Sequence, residues 1–211
     1  MSERPTGTVT FLFTDVEGST RLWEQYPTEM EPALERHDEI LRSTFVSHGG
    51  YVFSTAGDAF AAAFGRAGDA VAAAVAAQRA LGSEPWPAGT TIRARMGLHT
   101  GEAQERDGDY FGSVLNRTAR IMGLGSGGQV LMSAATAELT EVERRSEGLC
   151  ELRGLAGRTE LFTVLVEGLE SEFPSLRAAE VPGNLPAEGT RLVGREADLD
   201  ELAHGWSRCG C

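Results

Sequence analysis

Polar and apolar positions along this chain switch between a period of two and a period near 3.6, and the switches mark its elements. Thr8-Val9-Thr10-Phe11-Leu12-Phe13-Thr14 is β-branched and aromatic, as a strand should be. Leu22, Trp23, Tyr26, Leu34, Ile40, Leu41 and Phe45 then recur at helical spacing, which predicts helix over most of 19–47, with Pro27 and Pro32 marking a break or a helix start. His48-Gly49-Gly50 stops that helix. Tyr51-Val52-Phe53 opens a strand that turns at Gly57-Asp58 into its hairpin partner, 59–64. The Ala-rich stretch 67–81 predicts a helix, 91–101 alternates like a strand, and 114–122 is helical again. Gly125-Ser126-Gly127-Gly128 turns into a strand over 129–133, Ser133 is placed to cap a short helix over 134–140, and 152–166 reads as a terminal hairpin. The succession strand, helix, hairpin, helix, strand, helix, strand predicts an α+β fold with helices on one face of an antiparallel sheet.

After Val166 the pattern dissolves into Glu, Pro and small residues, so the expected organisation is a domain over 6–166 and a linker-like tail over 167–211. Apolar content of 41% and charged content of 24% belong to a folded water-soluble chain. The net charge of -12 argues against direct nucleic-acid binding, which needs clustered cations. All 19 basic residues are arginine. No stretch approaches the roughly 18 apolar residues of a membrane span, and Met1-Ser2-Glu3-Arg4-Pro5 has no hydrophobic signal region, so no membrane partner is expected and the cytoplasm is the default location. Cys150, Cys209 and Cys211 make no disulfide framework; Cys-Gly-Cys at the end reads as an exposed terminus before a soft-metal site.

Candidate chemistry lies at strand ends. Asp15 follows the first strand and Asp58 sits in the hairpin turn, each beside glycine or hydroxyl residues. Two carboxylates brought together repel unless a cation lies between them, and oxygen ligands with open positions suit Mg2+ or Mn2+. Asn116 and Arg120, four apart on a predicted helix, share one face and can stabilise charge on ribose and phosphate oxygens, although this spacing is also common on plain solvated faces. His99 reads as a packed, hydrogen-bonded histidine, His37 and His48 as solvated groups near helix ends, and Trp23 and Tyr26 as core or dimer contacts.

Taken in order, Phe13-Thr14-Asp15-Val16-Glu17-Gly18-Ser19-Thr20, Gly57-Asp58-Ala59-Phe60, Gly97-Leu98-His99-Thr100-Gly101, and Gly112 through Asn116 to Arg120 closely resemble the catalytic domain of class III nucleotide cyclases in its bacterial form. The resemblance covers about 6–166. It implies a ferredoxin-like sheet, synthesis of a cyclic nucleotide with release of pyrophosphate, and a head-to-tail homodimer with shared active sites. It further implies two Mg2+ or Mn2+ ions per site on Asp15, Asp58 and the Val16 carbonyl, and a phosphate cradle of backbone N–H groups over Glu17, Gly18, Ser19 and Thr20. Asn116 and Arg120 match the transition-state pair, reaching across from the other subunit.

Two departures from the family pattern bear on substrate. Ser54 stands where adenylyl cyclases of this family carry a purine-selecting lysine, while its acidic partner is present as Asp109. Asp109 can accept from the adenine 6-amino group, which favours ATP; it is also a natural turn residue in Asp107-Gly108-Asp109. With no lysine in the chain, Arg158 is the nearest substitute for a late phosphate-binding lysine. The tail, Asn184-Leu185-Pro186 and Leu192 through Leu199, is similar to the opening of the ATPase module in bacterial cyclase–ATPase–DNA-binding regulators, and reads here as a truncated start of one. Three readings follow: a weak adenylyl cyclase, a catalytically reduced nucleotide-binding or dimerisation module that regulates a protein partner, and a guanylyl cyclase.

Overall fold

β1 (Thr8–Val16) runs through the interior of the sheet in this computed structural model, in which residues 4–106 and 109–176 are described. Gly18 takes a left-handed conformation, φ 70°, that a side chain would strain, and turns the chain into α1 (Ser19–Gln25). Tyr26 breaks the helical run, and Pro27 opens α2 (Pro27–Ser47) at the position where a missing N–H costs nothing. β2 (Tyr51–Ala56) and β3 (Ala59–Phe64) form the expected hairpin, followed by α3 (Ala67–Ser83) and β4 (Ala94–Glu102). A small ladder of β5 (Gln104–Arg106) and β6 (Asp109–Phe111) precedes α4 (Ser113–Leu124). The chain closes with β7 (Val130–Ser133), α5 (Ala134–Ala137), β8 (Arg144–Glu151) and β9 (Arg158–Val164).

The main sheet has the order β2-β3-β1-β4-β7-β9-β8, an α+β architecture as expected. Its detail differs from the expectation in two ways, each with a cause. β4 and β7 are parallel, because α4 carries the chain back along the sheet as a crossover; the other neighbours are antiparallel. Helices also cover both faces. Leu12 joins Met96, Leu98, Phe60 and Phe64 under α2 and α3, whereas Val9 and Phe11, pointing the other way, pack with Tyr110 and Val114 of the α4 side. A strand apolar on both faces needs cover on both.

Gly97 sets how closely α4 lies. A Cβ there would fall 2.4 Å from the Met122 backbone nitrogen and 2.6 Å from its Cα, so only hydrogen fits. We expect Gly97→Ala to destabilise the domain by about 1–3 kcal/mol, as overpacking does. Gly123→Ala, on the same helix with nothing within 4 Å of its added carbon, should show no such loss. Denaturant midpoints of the two variants check this.

The terminal hairpin is β8–β9 and begins at Arg144, not at residue 152; Leu152 lies between the strands and is buried against Ile121 and Leu161. β8 is an edge strand whose Arg144, Arg145 and Glu147 carry no apolar alternation to read. Both edge strands of the sheet break register, β2 between Val52 and Ser54 and β8 between Ser146 and Gly148. His37, expected in solvent, is fully buried mid-helix, edge-on to Phe60 at 5.9 Å and bonded through Nδ1 to Asp38. Burial pushes its pKa down. Among the described residues no helix is long and apolar enough to cross a membrane. The tail motifs at 184–186 and 192–199 lie outside the described residues.

Candidate active site

The β1–β4 register sets Asp15 opposite Arg95. Arg95 Nε donates to Asp15 Oδ1 at 2.6 Å and Nη2 to Oδ2, a two-pronged pair with both side chains largely buried. Asp58, in the β2–β3 turn, accepts the Val16 N–H on Oδ2 at 3.0 Å. Three expected metal-site residues therefore meet at one end of the sheet. Val16 is anchored by its side chain, buried with Met30, Ala33 and Ile92, which leaves its main chain at the site.

Asp15 and Asp58 are thus compensated in the free chain, by a guanidinium and a backbone N–H, and do not simply repel. Their donor set fits a small hard cation: two carboxylates and an adjacent carbonyl. Among the described residues no third His, Cys, Asp or Glu joins them. The loop beyond is exposed at Gly18 and Thr20 and half-buried at Ser19. One member of the expected cradle is already engaged: the Glu17 N–H donates to the Arg93 carbonyl at 2.9 Å.

Asn116 and Arg120 are exposed on α4. Val114 packs against Gly101 and Met122 against Gly97, so the helix runs back along β4, with Asn116 near the Gly101 end. Gly101 pairs with Val9, six residues from Asp15, or roughly 20 Å at about 3.3 Å per residue. Arg158 is exposed, bonded to Glu151, and begins β9. Arg117 Nη1 donates to Thr159 Oγ1 at 2.5 Å, which ties that strand end to α4, away from Asp15. Ser54 and Asp109 are both exposed, but their neighbours Phe53 and Tyr110 meet edge to face at 5.0 Å, so β2 and β6 lean on one aromatic cluster. Burial pushes the Tyr110 pKa up to about 12, and its O–H donates to the Pro5 carbonyl.

The chain gathers Asp15, Val16, Asp58 and Gly18 to Thr20 at one end of β1, and Asn116, Arg120 and Arg158 around α4. Among the described residues no hydrogen bond or ion pair joins the two sets, and Asn116 and Arg158 lie towards the far end of the sheet, with Arg120 one turn nearer. Arg95 was missed by sequence reading. Its role depends on cross-strand register, which leaves no local signal.

His99 is half-buried with Nδ1 at 2.7 Å from Ser133 Oγ, the packed histidine expected. Burial, and secondarily the Arg117 charge, pushes its pKa down to about 4. The unfolded chain therefore takes up this proton first, at an ordinary pKa near 6.5, and stability falls as pH drops from about 6.5 towards 4. In His99→Gln the denaturation midpoint should change less over that window than in the wild type.

A family profile described as the adenylate and guanylate cyclase catalytic domain matches residues 1–168. An uncharacterised protein of Mycobacterium tuberculosis is 40% identical over 205 residues, covering 92% of this chain and 70% of the relative. The adenylate cyclase of Lachancea kluyveri is 34% identical over 155 residues, covering 62% of this chain and 8% of that protein. Among solved structures, an adenylate cyclase from Trypanosoma brucei in its monomeric state superposes with a TM-score of 0.72 at 28% identity, covering 84% of this chain and 97% of that one. The adenylyl cyclase CyaB of P. aeruginosa shares the fold, with a TM-score of 0.65 at 21% identity, covering 81% and 97%. With a profile match over residues 1–168, most of its length, the chain belongs to the adenylate and guanylate cyclase catalytic-domain family.

Proposed function

We propose that the protein is an adenylyl cyclase that works as a homodimer, each active site drawing one set of residues from each subunit. The observation that carries this reading is the separation just described: Asp15 and Asp58 stand together, while Asn116 lies roughly 20 Å away along the sheet on an exposed helix face. A head-to-tail pair would set the α4 of one copy over the β1 end of the other.

The reaction joins the ribose 3'-oxygen to the α-phosphorus of ATP, breaks the bond to the bridging oxygen and releases pyrophosphate. Asp15, Asp58 and the Val16 carbonyl would hold two Mg2+ or Mn2+ ions, which when bound would supply positive charge to acidify the 3'-hydroxyl and bind the phosphates. N–H groups of Gly18, Ser19 and Thr20 take phosphate oxygens. From the other subunit, Asn116 orients the ribose, Arg120 neutralises charge on the transferring phosphorus, and Arg158 binds the terminal phosphates. Asp109 accepts from the adenine 6-amino group beside Ser54. Similarity to relatives named adenylate cyclases supports the choice of ATP.

One observation favours a second reading, a catalytically reduced nucleotide-binding or dimerisation module acting on a protein partner: Ser54 cannot supply the charge of a purine-reading lysine. Purified protein incubated with Mn2+ and either ATP or GTP decides between them. Cyclic AMP is the expected product; cyclic GMP alone would make the protein a guanylyl cyclase, and no product the reduced module. Ser54→Lys should then sharpen ATP over GTP by roughly tenfold to a hundredfold, the worth of a hydrogen bond to a charged group.

A further inference from the structure

Residues 165–176, the described part of the chain beyond β9, contain no helix or strand, yet this segment is fastened along its length. The Leu165 N–H donates to the Glu143 carbonyl, Val166 and Leu169 pack against the α2–α3 core, and Arg79 donates to the Glu167 carbonyl at 2.9 Å. Arg145 donates to the Ser171 carbonyl at 2.9 Å, and Leu176 packs on the α4-side cluster. The segment is a strap that passes from one face of the sheet to the other. Midway, Glu170 pairs with Arg93.

Arg93 also holds the loop that follows β1. Its carbonyl accepts the Glu17 N–H at 2.9 Å, and its Nε and Nη2 donate to the Gly127 carbonyl at 3.2 and 2.6 Å. The Gly127 N–H returns to Glu17 Oε2 at 3.1 Å. Glu17, between Val16 and Gly18, is therefore gripped at main chain and side chain by a ring that Arg93 closes.

We propose that Arg93 is a positioning residue for the Val16–Thr20 loop, and that Glu170, by pairing with Arg93, makes the loop's geometry depend on the docked strap. Displacing the strap weakens nucleotide and metal binding at the loop. This rests on the cyclase reading only for the loop's role; the coupling itself is physical and can be read without turnover. Both partners of the pair are about half exposed, so its grip is modest and the expected effects are several-fold.

The test uses the full chain with Glu170→Gln, Arg93→Met and Arg93→Lys. Amide hydrogen exchange over 16–22 should quicken several-fold in Glu170→Gln and more in Arg93→Met, with Arg93→Lys between wild type and Arg93→Met. Calorimetric titration with Mn2+ and 3'-deoxy-ATP, which lacks the attacking hydroxyl, should show several-fold weaker binding in the same order. Wild-type exchange over 16–22 in Glu170→Gln, with faster exchange over 165–176, would overturn the coupling; wild-type exchange there in Arg93→Met would overturn the positioning role. If exchange shifts as expected but the wild type makes no cyclic nucleotide, the coupling stands and the cyclase reading falls.

Discussion

Asp58→Ala lowers cyclic-nucleotide formation by roughly a thousandfold or more at saturating Mn2+, because the lost carboxylate removes a ligand from ions worth several kcal/mol of charge stabilisation. The fold survives. Asp58 sits in a turn, half-buried, and among the described residues it accepts a hydrogen bond from the Val16 N–H; losing that acceptor costs about 1 kcal/mol. Asp58 is a cleaner probe than Asp15, whose removal would strand the Arg95 guanidinium at 17% exposure and confound lost catalysis with lost stability. Single-turnover measurement of Asp58→Ala, beside its circular dichroism and dimer state, checks the assignment. A folded, dimeric variant with wild-type turnover would remove Asp58 from the site.

Mixing Asp58→Ala, which leaves the Asp15–Arg95 pair intact, with Arg120→Ala, each inactive alone, restores activity. If Arg120 serves the partner's Asp15 and Asp58, a heterodimer owns one intact site and one doubly broken one. Random exchange makes half of the dimers mixed, so recovery approaches roughly a quarter of wild type. The geometric reason to expect this is Asn116, which lies near Gly101, roughly 20 Å along the sheet from Asp15, and shares its exposed helix face with Arg120 one turn on. Activity measured against time of subunit exchange, with exchange itself followed by a fluorescent label, reads the result. No recovery after complete exchange would place Arg120 in the same chain's site or outside it.

Local pattern carried most of the elements, because β1, β3, α3 and α4 each have a clean period and a sharp stop. Asp15 and Asp58 were legible for the same reason: each stands at a strand end beside a turn signal. What failed was non-local or polar. β8 has the residues of a solvated edge, so its hairpin was placed eight residues late, and the three-residue strands β5 and β6 are shorter than any period. His37 looked like a surface group because a single polar residue on a helix says nothing about the aromatic ring of another strand that covers it. Arg95 and Arg93 escaped notice because their importance comes from pairing across the sheet and with the strap, neither of which is written in spacing.

The broken register at each border strand limits how copies of this domain can meet. A regular border offers a ladder of unpaired N–H and C=O groups on which another chain can polymerise, whereas one dislocated at Val52/Ser54 and another at Ser146/Gly148 offer only short, misaligned runs. Joining border to border would in any case leave the α4 surface uncovered. Both borders are thereby poor templates for open-ended growth, so the sheet that builds the domain is guarded against becoming the seed of a fibril.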